Sequence, residues 1–141
     1  MARTSATKPV VEQCWLLVGQ HKQPFWHARR VRPSRGKPAS VEFDAAWVLR
    51  RDEDRGDIVG FYHTHPAGPP APSNRDDRTM RAWVSALGKP LLCLIEADGA
   101  VTAFRYDDDE SNGTQLAACE RFPGSVVIAY ETGSGFIQNG E

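Results

Sequence analysis

Apolar residues fall along this chain in short dense runs divided by turn-formers, with one longer stretch at helical spacing. The first run, residues 10–19, is apolar on both faces, Cys14, Leu16 and Val18 alternating with Trp15 and Leu17. A strand that buries both faces belongs inside a covered sheet. Residues 21–35 are rich in Arg, His and Pro and read as exposed loop or edge strand, with His21 and His27 on the surface. Residues 41–43 read as a strand. Residues 45–53 read as a short helix with Trp47 and Val48 inward, a strand there remaining open. A second buried strand covers Ile58 to Tyr62, and a third Leu91 to Glu96; Asp98-Gly99 then turns the chain into an antiparallel partner at 101–106. Between them Met80, Trp83, Val84 and Leu87 follow the i, i+3, i+4, i+7 spacing of an amphipathic helix over 74–87. Residues 115–121 read as a short helix and 125–130 as a final strand, with polar ends at 1–9 and 133–141 expected to fray. The order of elements predicts a mixed α/β sandwich.

Composition adds mostly exclusions. The 141 residues suffice for one domain, expected to span 1–141. Seventeen basic against 18 acidic residues, a net charge of -1, give no electrostatic case for nucleic acid or membrane binding. The basic run Arg29-Arg30-Val31-Arg32 reads as a solvated face, and the acidic run at 107–110 lacks the spacing and glycine of a calcium loop. Cys14, Cys93 and Cys119 are odd in number and form no C-x-x-C pair. They read as small buried hydrophobes in a reducing compartment. Residues 1–9 lack the apolar core of a signal peptide, and no apolar run reaches membrane-spanning length. A soluble, cytoplasmic protein is expected.

Chemistry concentrates between Gly60 and Asp76. His63 and His65 stand two apart at the end of the second buried strand, so both imidazoles leave one face together. A stiff Pro/Gly-rich loop follows at 66–72, then Ser73 and Asp76 in an S-x-x-D arrangement at the start of the amphipathic helix. Each piece has an ordinary reading: Ser73 with Asp76 is also a capping box, and histidines on strands are often surface residues. The conjunction His-x-His-x7-Ser-x2-Asp is much harder to reach by accident. Asp76 falls on the inward stripe of the helix, four residues before Met80, whereas Asp77 is turned off it by about 100°. An inward carboxylate needs a partner, and a metal ion supplies one. His63, His65 and Asp76 form a three-ligand set that leaves a fourth zinc position for water.

His63-Thr64-His65-Pro66, Ser73 and Asp76 resemble the signature of the JAMM (MPN-type) zinc metalloproteases, isopeptidases that remove ubiquitin-like modifiers. The family carries an upstream glutamate before a short apolar run closed by glycine. Glu12-Gln13-Cys14-Trp15-Leu16-Leu17-Val18-Gly19 matches that pattern at Glu12, Cys14, Leu16, Leu17 and Gly19. Trp15 stands where glycine is usual, so its side chain must find a place in the packing. Glu42 and Glu53 are rivals for Glu12, but neither opens a doubly buried strand.

The resemblance implies a deaminase-like MPN/JAB domain, a mixed β-sheet flanked by helices as a three-layer sandwich. It implies one zinc ion on His63, His65 and Asp76, with Glu12 as general base and Ser73 as oxyanion donor. The implied reaction is hydrolysis of a peptide or isopeptide bond after the C-terminal tail of a ubiquitin-like protein, by a compact bacterial enzyme. Processing of a sulfur-carrier protein is an alternative within the same family. A catalytically silent MPN-type scaffold binding a ubiquitin-like partner is the alternative from another class, although silent members lose ligands that are all present here. The zinc deaminases of the related fold need H-x-E with P-C-x-x-C, and this chain has neither.

Overall fold

The computed structural model describes residues 12–35 and 45–132. The expected strand at 41–43, Glu42 and the two expected frayed ends at 1–9 and 133–141 lie outside the described residues. Among the described residues eight strands make one sheet: β1 (Gln13–Lys22), β2 (Phe25–Arg35), β3 (Ile58–Thr64), β4 (Leu91–Ala97), β5 (Ala100–Tyr106), β6 (Thr114–Gln115), β7 (Ala118–Phe122) and β8 (Val126–Tyr130). Their order across the sheet is β6-β5-β4-β3-β1-β2-β8-β7. Among the described residues only β3 and β4 run parallel, and the connection between them carries the second of the two described helices, α1 (Ala45–Arg55) and α2 (Asn74–Leu87).

The doubly apolar runs take the middle of this sheet, and each face has its own core. On one face Cys14, Leu16, Ile58, Phe61, Cys93 and Ile95 pack with Val48 of α1 and Met80, Trp83 and Val84 of α2. On the other, Leu17, Trp26, Tyr62, Leu94 and Val127 form a cluster to which neither helix contributes a buried residue. Among the described residues the layer over this second face is therefore the sheet's own curled far side. The two edge strands, β6 and β7, are separated in sequence only by Leu116 and Ala117. Three Cα–Cα steps join Gln115 to Ala118, a reach of at most ~11 Å. Leu116 N–H donates to the Ala103 carbonyl of β5 (2.8 Å), and Ala117 N–H to the Tyr130 carbonyl of β8 (3.0 Å). Two residues thus bridge opposite edges of an eight-stranded sheet, rolling it almost into a barrel.

Two readings of the pattern change. Residues 25–35 are neither loop nor edge: β2 lies between β1 and β8. Its polar outer residues, His27 and Arg29, are exposed, while Trp26 and Ala28 are buried on the inner face. His21, expected on the surface, stacks on Trp26 at 3.7 Å and bonds Glu131 at 2.7 Å. Residues 115–121 are not helical; they hold β6, the bridge and β7, because Leu116 and Cys119 are needed inside the curl. Trp15, the departure from glycine, packs edge-on to Tyr62 at 5.3 Å, with the Arg30 guanidinium 4.7 Å from both rings. None of the three cysteines, all of them described, is in a disulfide.

Candidate metal centre

The site lies on the helix-covered face, where β1, β3 and α2 meet. Strand alternation sends Phe61 and His63 to that face and Tyr62 to the opposite one. His65 follows β3 by one residue and is tied down by its N–H on the Glu96 carbonyl of β4 at 2.8 Å. From the other side, α2 begins with Ser73 as N-cap. Asp76 N–H donates to Ser73 Oγ (3.1 Å), and Ser73 N–H donates to Asp76 Oδ2 (2.9 Å). This capping box fixes the Asp76 carboxylate in the first turn, aimed inward with Met80, Trp83 and Val84.

Three ligand atoms converge. His63 Nε2 and His65 Nε2 stand 3.1 Å apart, and Asp76 Oδ2 is 3.4 Å and 3.2 Å from them. All three side chains are buried. Atoms bound to one tetrahedral zinc at ordinary lengths stand about 3.3 Å from one another, so these separations suit a single small cation without rearrangement. The donor tautomer suits it too. The Pro69 carbonyl accepts a hydrogen bond from His65 Nδ1–H at 2.8 Å, leaving the Nε2 lone pair facing the other ligands. His63 Nδ1 is buried with no partner among the described residues, so its tautomer is set by what meets Nε2. His63, His65 and Asp76 could hold a metal ion.

The electrostatics agree. Burial pulls the Asp76 carboxyl upward, but the imidazoles of His63 and His65 beside it outweigh burial and hold the group well below the usual carboxylate range. The Asp76 carboxylate raises His65 against the opposing effect of burial, with smaller contributions from the Pro69 carbonyl and the charge of Glu12. Behind the site, burial pushes the Cys93 thiol far up, so it stays neutral and unreactive. Phe61, His63, Asp76, Thr79 and Met80 line a residual cavity of ≈ 10 Å³, too small for a ligand side chain to swing into.

The other expected residues take these places. Ser73 is exposed at the mouth; its Oγ accepts from Asp76 N–H and keeps its own proton to donate. Glu12 is half-buried just ahead of β1, where its charge is felt by His65. Its rival Glu53 is exposed on α1. Asp77, off the stripe, accepts from Tyr106 Oη at 2.5 Å and so pins the first turn of α2 to β5. The Tyr106 anchor and the Pro69 carbonyl had no signature in the sequence: one is a contact between distant residues, the other a backbone group.

A mixed sheet bearing a buried His-His-Asp set on a strand end and a helix start defines an α/β domain with a site that could hold a metal ion. The model describing prokaryotic homologs of the JAB domain matches residues 1–107. This chain belongs to that family, as a compact member of the JAMM type. Among curated relatives, a desampylase of Pyrococcus furiosus is 30% identical over 89 residues, 60% of this chain and 59% of the relative. A desampylase of Haloferax volcanii is 37% identical over 71 residues, 50% of this chain and 48% of the relative. The chain thus spans between about half and three-fifths of the length of these relatives. No helix among the described residues is long and apolar enough to cross a membrane.

Proposed function

We propose that this protein is a zinc metallopeptidase that hydrolyses the peptide or isopeptide bond after the C-terminal tail of a ubiquitin-like protein. The convergence of His63 Nε2, His65 Nε2 and Asp76 Oδ2 carries this reading. The name desampylase on both relatives supports it. Zinc held by these three residues supplies Lewis acidity to water and to the attacked carbonyl. The protein's own residues do the rest. Asp76, kept ionised, offsets the positive charge of the ion, and the capping box keeps it from turning away. Glu12 accepts a proton from the attacking water, whose oxygen bonds to the carbonyl carbon. It then delivers that proton to the amine nitrogen as the C–N bond breaks. The Ser73 hydroxyl donates to the oxyanion that forms at the carbonyl. The substrate side has the extended character of a C-terminal tail, whose backbone groups are available for strand-like pairing beside the site.

The test is metal content by plasma mass spectrometry, with hydrolysis of a ubiquitin-like protein bearing a C-terminal coumarin amide. Wild type is expected to hold one zinc per chain, Asp76→Ala to lose it, and Glu12→Gln to keep it while losing turnover. A well-folded wild type that takes up no zinc would sink the hydrolase reading and leave a scaffold.

A further inference from the structure

We infer that Thr64, between the two histidines, is a positioning residue whose hydroxyl sets the place of Glu12. The inference rests on the reading of Glu12 as the proton carrier. The β1–β3 ladder pairs Trp15 with Tyr62 and Cys14 with His63. One step further the pattern changes: Gln13 N–H donates to the Thr64 side chain, Oγ1, at 3.0 Å. A side chain has replaced the partner strand as acceptor at the end of the ladder. Continuing the register puts Gln13 beside Thr64 and Glu12 beside His65, in keeping with the influence of the Glu12 charge on His65.

The covalent geometry makes this bond reach further than its partners. Gln13 N–H belongs to the planar peptide unit that contains the Glu12 Cα and carbonyl. Holding that N–H therefore holds the plane from which the Glu12 side chain departs. The anchor is itself stiff. Thr64 is β-branched, with few rotamers, and its backbone is paired with Glu96 of β4 while the next residue, His65, donates to the Glu96 carbonyl. One residue thus references Glu12 to the strand that carries both imidazoles. Thr64 is not one of the three residues of the ligand set; it acts through Gln13.

The bond is solvent-exposed, so in Thr64→Val the Gln13 N–H turns to water and the fold is retained. Misplacing a reacting group by about an ångström costs on the order of 100-fold. Thr64→Val is expected to lower kcat by roughly 10- to 100-fold, with KM and zinc content unchanged. Thr64→Ser, which keeps the acceptor, is expected to restore most of the loss. Without reference to turnover, the Gln13 amide should exchange with deuterium faster in the valine variant than in the serine variant. Glu12→Gln is assayed beside them on the same coumarin amide. If Glu12→Gln is inactive while Thr64→Val keeps wild-type kcat, the positioning role is wrong and the reading of Glu12 stands. Full activity in Glu12→Gln overturns both. Zinc lost from Thr64→Val, or a Gln13 amide unchanged in exchange, also overturns the inference.

Discussion

One oxygen of Ser73 is given two tasks: its lone pair caps α2, and the proposed mechanism uses its proton as the oxyanion donor. The two can be separated, because glycine is nearly as good an N-cap as serine whereas alanine is not. Ser73→Ala is expected to lose about 1 kcal/mol of stability and Ser73→Gly only a few tenths. Both are expected to lose turnover by ~100-fold or more. Urea melts beside steady-state rates decide it; a glycine variant that turns over normally makes Ser73 a cap alone. At this scale the sequence was informative wherever chemistry depends on residue type. Asp76 could be told from Asp77 by the helical stripe alone. Thr64 and Pro69 could not be read, since one acts through a hydrogen bond between strands and the other through its carbonyl.

At the scale of elements, the two histidines are only as well placed as β3 is in its sheet. Gly60 sits at a register shift between β1 and β3. A Cβ there would stand 1.9 Å from the Leu92 carbonyl oxygen of β4, on a backbone with φ 159°. Close approach of the two parallel strands requires the missing side chain. Gly60→Ala is expected to cost more than about 2 kcal/mol and to weaken zinc retention, as β3 must part from β4. Denaturation and metal titration check both; a variant of native stability would mean the strands can yield. Helix α2 and strands β3, β4 and β5 were legible because period and burial agree along each. Strand β2 was not: only its inner face is apolar, and its exposed His27 and Arg29 gave the composition of a loop. Residues 115–121 misled for a related reason. Leu116 and Cys119 sit three apart as in a helix, yet they enter one cavity from a bridge and a separate strand.

For the molecule as a whole, closure of the sheet depends on the short bridge between β6 and β7. Leu116 is 8% exposed and packs into the helix-free cluster. The seam is reinforced by Arg121, which donates to the Gly99 carbonyl at 2.7 Å, and by Glu131, which takes bonds from His21, Trp26 and Arg105. Leu116→Ala is expected to destabilise the protein by ~2–4 kcal/mol while zinc content stays at wild type, because the ligands are on the opposite face. Differential scanning calorimetry with metal analysis tests this; loss of zinc in a folded variant would show that closure and site are coupled. Pairing across such distances leaves no mark on local periodicity, so the curl could not be foreseen from the order of elements.

That arrangement also sets a timetable. The chain emerges from the ribosome amino end first, and every ligand-bearing residue precedes Thr114. By the time β5 is complete, the half that carries the candidate site is fully translated while the outer edges of β2 and β5 stand bare, each a template for a foreign strand. Strands β6, β7 and β8, made next, then cover both edges in one continuous stroke. Synthesis halted after Tyr106 releases a molecule with its chemistry encoded and its guard against aggregation missing.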